Sequence, residues 1–189
     1  MAIEIILAAQ EDVQAVLQIT NEEATRSLAT ASYSDEPLTR WQEAWVAEHE
    51  RYPWLIAVER GAQGERHVLG YAKASPFNLR DGFMWSVGLS IYLRPEAQGQ
   101  GLSVRLYERL FALIRAQGYR SVYARVALPN PASVSLHERF GLERTGLLPH
   151  FSWKNEHWYD LAIYTGRLSD SIAPPSPTLS VLEAWKLLS

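Results

Sequence analysis

Between Arg94 and Leu110 the chain reads RPEAQGQGLSVRLYERL, with Gly99 and Gly101 on either side of Gln100 where an apolar run ends and an amphipathic one begins. A plain turn needs one glycine; two spaced by a single residue let backbone come close to something else. The chemistry this suits is anion binding. Residues without bulky side chains let successive N–H groups converge on a phosphate at a helix start, where the helix dipole adds roughly 0.3–1 kcal/mol per anion. A P-loop needs GxxxxGK followed by Ser or Thr, and no such string occurs. A dinucleotide fingerprint needs GxGxxG, but the third place is Val104. The pattern Gln/Arg-x-x-Gly-x-Gly/Ala fits at Gln98 and Gly101, with Ser103 standing in the last place. An ordinary glycine-rich turn is the plain alternative on these residues alone.

The elements around this stretch must hold it in place. Trp85, Val87, Leu89, Ile91 and Leu93 alternate with Ser86, Gly88, Ser90 and Tyr92, which predicts a strand with one core face and one more polar face. Leu102, Leu106, Leu110, Leu113 and Ile114 predict a helix over 102–116, with Gly118 as its C-cap. A strand follows over YRSVYARVAL, and Asn130 before Pro131 reads as the N-cap and first position of a short helix ending near Gly141. Upstream, strands are expected at Ile3–Ala8, in PWLIAVE and in HVLGYAKAS, with helices over Gln10–Ala24 and Leu38–Glu50. Downstream, LERTGLL and HWYDLAIYTGRL close the sheet.

The chain has 189 residues, 47% hydrophobic and 21% charged, which suits one folded domain with a sizeable core. Its net charge of −3 argues against nucleic acid as a partner. There is no Cys, so disulfides, thiolate metal sites and a cysteine nucleophile are excluded, and no metal site is expected. The start, MAIEIILAAQED, is not expected to act as a signal peptide, and no run approaches the roughly 20 apolar residues of a membrane span. The cytoplasm is the expected compartment. A Pro/Ser-rich stretch from Ser169 separates residues 1–168 from a short amphipathic tail, VLEAWKLLS, expected to dock on the body or on a second subunit.

The stretches ERYPWLIAV, VLGYA, LSIYLRPEAQGQGL, RLYERL, AQGYRSV, LPNPASVSLHE and Lys154…Trp158-x-Asp160 together resemble the GCN5-related N-acetyltransferase family. They are most similar to its phosphinothricin and amino-acid N-acetyltransferase branch, in order, over roughly Ile3–Leu168. The resemblance implies an α/β (α+β) fold: a mixed, centrally split β-sheet flanked by helices. It implies acetyl-CoA in that split, with backbone of Ile91, Tyr92 and Leu93 along its pantetheine arm and acetyl carbonyl. Gln98, Gly99, Gln100, Gly101, Leu102 and Ser103 would wrap the pyrophosphate, and Asn130, Ser133 and His137 would line the thiol end. An amine would attack the thioester directly in a ternary complex, in keeping with the missing Cys. The same branch implies a homodimer.

His137 stands where the branch carries a proton donor for the leaving thiolate; a packed structural histidine is the other reading. Tyr92 is a second catalytic candidate on the polar face, or a packing residue. For the acceptor the resemblance points to Asn78, Arg80 and Phe83, with Trp85 and Ala127. Trp85 fits the core equally well. Asn78 and Phe83 depart from the branch's basic residue and tyrosine, while Arg80 keeps a carboxylate or phosphinate contact. Ser103 replaces the small residue that ends the phosphate loop.

Gly88 is the largest departure. The branch has a glutamate there, thought to deprotonate the amine, and a general base is worth about 10²–10⁴-fold. The expectation is an N-acetyltransferase acting on the primary amine of a small amino-acid-like acceptor. The alternative is an acyl-CoA-binding or sensing protein with weakened catalysis.

Overall fold

The computed structural model describes residues 2–28, 30, 32–61 and 64–188, with side chains 24–26 left aside. Among them seven strands form one sheet in the order β1-β2-β3-β4-β5-β7-β6. The strands are β1 (Ile3–Leu7), β2 (Trp54–Arg60), β3 (Arg66–Pro76), β4 (Ser86–Leu93), β5 (Ser121–Ala127), β6 (Glu143–Lys154) and β7 (His157–Arg167). Neighbours are antiparallel except β4 and β5, which run parallel. The last strand is inserted between β5 and β6, so β6 forms the edge.

The helices follow the apolar spacing. In α1 (Val13–Arg26), Val13, Val16, Leu17 and Thr20 share the buried side, after a 3-10 turn at Gln10–Asp12. No residue of α2 (Leu38–Glu48) is fully buried. Even so, Trp41 meets Trp54 edge-on at 5.7 Å, and the Lys73 Nζ sits 4.0 Å from the Trp54 ring centroid. α3 (Leu102–Gln117) buries Leu102, Leu106, Leu110, Leu113 and Ile114 and ends at Gly118, whose φ of +93° is open to glycine at little cost. α4 (Pro131–Arg139) begins at Asn130, whose side chain accepts from the Ser133 N–H at 3.1 Å.

The sheet separates two apolar layers. Leu55, Ala72, Val87 and Leu89 pack with α3 on one side; Ile56, Tyr71 and Tyr92 pack with Val16 and Ile19 of α1 on the other. The tail folds back as α5 (Val181–Leu187) with a Ser180/Glu183 capping box, burying Val181 and Ala184. It is tied down where the Gln117 side chain donates to the Leu179 carbonyl at 3.0 Å and Val181 N–H donates to the Glu50 carbonyl at 2.8 Å. Arg109 donates to the Leu188 carbonyl and lies 4.1 Å from the Trp185 ring centroid.

Candidate active site

β4 and β5 pair only at Ser86–Ser121, Val87–Val122 and Gly88–Tyr123. Beyond Gly88 both strands keep their outer partners, β3 and β7, while the ladder between them stops. A parallel pair that opens in this way exposes backbone N–H and C=O groups along two facing edges. Ile91, Tyr92 and Leu93 lie on one edge, and the strand that leads to Asn130 lies on the other.

β4 then delivers the chain to the phosphate-type turn. Pro95–Ala97 makes a 3-10 turn, and the Gln98 side chain returns to donate to the Leu93 carbonyl at 3.2 Å. Gln100 donates to the Glu96 carbonyl at 2.7 Å. Gly99 and Gly101 hold φ of +74° and +75°, and a Cβ built on either would point into open space. Gly101 is the N-cap of α3 and brings no side-chain cap; Arg105 N–H is the first to find a helical acceptor, the Gly101 carbonyl. The N–H groups before it on the helix are orphan donors aimed at the cradle. Leu102 is buried beneath them and Ser103 is half-buried.

His137, on α4, is buried at 4% exposed and lies 5.7 Å from the Tyr164 ring of β7. Its Nδ1 lies 2.6 Å from the Ser133 carbonyl, which can only accept, so Nδ1 carries the proton there. Nε2 then accepts from the Tyr107 hydroxyl at 3.2 Å. Burial pushes the imidazole below its usual pKa, partly offset by the Ser133 carbonyl. The unfolded chain therefore binds this proton more readily. His137 contributes fully to stability above its unfolded pKa of about 6.5 and loses that contribution as pH falls toward the lower folded value. The denaturant midpoint should fall on acidification from pH 7 to 5, and less steeply in His137→Gln. Parallel pH curves for the two proteins would exclude this residue as a source of acid sensitivity.

The opposite face of the split carries Ser86, Gly88, Ser90 and Tyr92 on β4 and, by register, Tyr123, Arg125 and Ala127 on β5. Burial pushes the Tyr92 phenol up to about 12; Glu23 adds to the rise and Arg125 opposes it. The hydroxyl is thus protonated at neutral pH. Gly88 is buried, and a Cβ there would stand 3.1 Å from the Ser75 Oγ and 4.0 Å from the Tyr123 ring. Phe77 lies edge-on to Tyr123 at 5.2 Å and tilted on Phe83 at 5.2 Å, which brings the exposed loop of Asn78, Arg80 and Phe83 beside Gly88. Within it, Asn78 Oδ1 accepts from Arg80 N–H at 3.0 Å.

Trp85 is not gathered with this group. Its indole N–H donates to the Ser176 carbonyl at 2.8 Å, in the segment between β7 and α5. Arg125 stands on this face too, and reading the sequence did not single it out. The available signal was a lone charge in the middle of the apolar strand SVYARVAL.

The Acetyltransferase (GNAT) family profile matches residues 13–142. Phosphinothricin N-acetyltransferase from Streptomyces viridochromogenes is 34% identical over 183 residues, 96% of either chain. L-methionine sulfoximine/L-methionine sulfone acetyltransferase from Pseudomonas paraeruginosa is 32% identical over 87% of this chain and 94% of its own. A phosphinothricin acetyltransferase from Sinorhizobium meliloti, solved in complex with acetyl-CoA, superposes with a TM-score of 0.83 at 28% identity, covering 93% of this chain and 94% of that one. The residues present fit such a ligand: two left-handed glycines leave the cradle open, and the leading N–H groups of α3 have no helical acceptor. With the family profile covering most of the chain and these relatives matched along nearly their whole length, the chain belongs to the acetyltransferase (GNAT) family and is an acetyl-CoA-dependent N-acetyltransferase.

Proposed function

We propose that the protein acetylates the primary amine of a small amino-acid-like acceptor of the kind named for its relatives, phosphinothricin or methionine sulfoximine. The observation that carries this reading is the split after Gly88–Tyr123, which opens between a phosphate-type cradle and a face lined by Tyr92, Arg125 and Ala127. Acetyl-CoA supplies the activated acyl carbon. Gln98, Gly99, Gln100, Gly101, Leu102 and Ser103 hold its pyrophosphate, chiefly through backbone N–H groups. Ile91, Tyr92 and Leu93 offer strand-edge hydrogen bonds to the pantetheine arm and the acetyl carbonyl. Asn130 and Ser133 shape the floor at its thiol end through the start of α4.

The amine nitrogen attacks the thioester carbon, the C–S bond breaks, the nitrogen sheds one proton to become the amide, and the sulfur leaves as a thiolate that takes up one proton. His137 is the proposed donor of that proton, its imidazole held in place by the Ser133 carbonyl and the Tyr107 hydroxyl. Tyr92 forms the wall along which the amine approaches, and Asn78, Arg80 and Phe83 close the distal end of the acceptor pocket. Trp85 acts at one remove, by fixing the C-terminal segment.

A thiol-release assay tests the reading. Phosphinothricin, methionine sulfoximine and methionine sulfone should each release CoA with saturable kinetics. Acetyl-CoA binding without thiol release from any amine would instead support a binding or sensing protein.

The homodimer belongs to the same proposal. Leu147, Phe151, Trp153 and Trp158 on β6 and β7 are between 45% and 61% exposed, an apolar edge suited to a second copy. Sedimentation should give twice the 21.4 kDa chain mass, and monomers at micromolar concentration would reject it. Work in the cytoplasm is proposed too. Among the described residues no helix is long and apolar enough to cross a membrane.

A further inference from the structure

We infer that Arg125 anchors the α-carboxylate of the acceptor, an inference that rests on the amino-acid acceptor proposed above. Arg125 lies on β5 two residues past Tyr123, the last partner of β4, so it stands on the wall of the split where the ladder has stopped. Its strand neighbours on that face are Tyr123 and Ala127, and its partner on β7 is Ile163. None of Tyr123, Ala127 and Ile163 carries a charge that would pair with a guanidinium. Arg125 is exposed, and among the described residues it has no hydrogen bond or ion pair.

The half-buried Lys73 and the buried Lys154 are already committed. Lys73 lies over the Trp54 ring with Glu48 at 3.8 Å, and Lys154 donates to the carbonyls of Ser27 and Thr30 at 2.6 and 2.8 Å. Among the described residues on the β5 wall, Arg125 is therefore a cation with a free fork of donors. That fork matches a carboxylate bidentately, with fixed orientation.

The geometry of an α-amino acid completes the argument. Its amine and its carboxylate are both bonded to Cα, so holding the carboxylate on the β5 wall fixes how far the amine extends toward β4. The facing wall is open for it: Gly88 has no side chain and Ser90 a short one. Arg80, on the exposed 77–83 loop, is left for the far end of the acceptor. A primary amine without a carboxylate would lose the point that sets its reach toward β4.

The test compares methionine sulfone with its α-carboxamide, which keeps the amine and side chain but not the charge. Parent enzyme should prefer the acid. Arg125→Leu should shrink the acid-over-amide ratio of kcat/KM by roughly 10- to 100-fold, as loss of charge-assisted hydrogen bonds predicts, with the change carried in KM. Arg125→Lys should restore part of the ratio. Calorimetric titration of methionine sulfone into the CoA complex should show the same loss of affinity, while acetyl-CoA binding by Arg125→Leu confirms that the variant is folded.

If the parent prefers the acid and Arg125→Leu keeps that preference, Arg125 is not the anchor although the acceptor class stands. If the parent prefers amines without a carboxylate, or acetylates no amino acid at all, the acceptor reading fails and the anchor fails with it. A variant too unstable to bind acetyl-CoA is replaced by Arg125→Gln, read against the same ratio.

Discussion

Gly88→Glu is expected to raise the rate of acetylation of methionine sulfone and phosphinothricin at pH 7 by a substantial part of the roughly 10²–10⁴-fold that a general base supplies. An amine acceptor is mostly protonated at neutral pH and attacks only as the free base. On the face that carries Gly88, the described residues of β4 are Ser86, Ser90 and Tyr92. The Tyr92 phenol, pushed up to about 12, is a poor acceptor for a proton at pH 7. The parent rate should therefore climb with pH up to the pKa of the acceptor itself, and the glutamate variant should level off at lower pH.

Geometry permits the substitution. Gly88 is not in the left-handed region, and the nearest atom to a new Cβ is the Ser75 Oγ at 3.1 Å, the end of a side chain that can turn away. Beyond it lies the Tyr123 ring, against which a glutamate stem can pack. The polar change at Asn78 and the missing hydroxyl at Phe83 keep the gain below the full range. A bell-shaped profile in the parent centred near neutral pH, with no gain in Gly88→Glu, would place the base elsewhere. Glu23, the buried carboxylate on α1 that takes a hydrogen bond from Ser27 at 2.6 Å, is then the first residue to replace.

The second large effect is at the cradle. Gly101→Val should weaken acetyl-CoA binding on the order of 100-fold, the equivalent of losing about one charge-assisted hydrogen bond at the strong end of its range. The new side chain would enter the open space in front of the α3 N–H groups, at a φ of +75° that β-branched residues strongly disfavour. Strain alone would lower stability, so a control is needed. Gly118→Val meets a similar left-handed strain, at φ +93°, at the opposite end of the same helix. It should lose stability while still binding acetyl-CoA. If both variants bind as the parent does, the pyrophosphate does not lie at Gln98–Ser103. If both lose binding alike, the effect belongs to helix strain and not to the cradle.

Local signals carried most of the fold. The alternation through Val87, Leu89, Ile91 and Leu93 gave β4, the leucine spacing gave α3, and Asn130 before Pro131 marked the α4 cap that Ser133 completes. Each is written within a few residues, where propensity and periodicity act. The glycine turn was legible for the same reason, since Gly99 and Gly101 lie two residues apart in sequence.

What escaped was set by partners far along the chain. Tyr107 takes the second nitrogen of His137 from 30 residues away, and Trp85 is held by Ser176 from 91 residues away. Neither pairing has any local signature. The insertion of β7 between β5 and β6 likewise depends on sheet assembly, not on the composition of HWYDLAIYTGRL. Arg125 was hidden by its setting: a charge within an apolar strand is read as a solvent-facing interruption until the neighbouring strand is seen to turn away.

The three-rung ladder between β4 and β5 has a mechanical meaning. It divides the sheet into two plates, β1 to β4 and β5-β7-β6, each internally bonded along its length and joined along a short seam. A load drawn across that seam would part the plates while leaving the ladders within each intact. Past the seam, the gap stays open along one side to a long, jointed guest. A guest bonded to both walls would act as a tie rod, bracing the two plates where they have no ladder of their own.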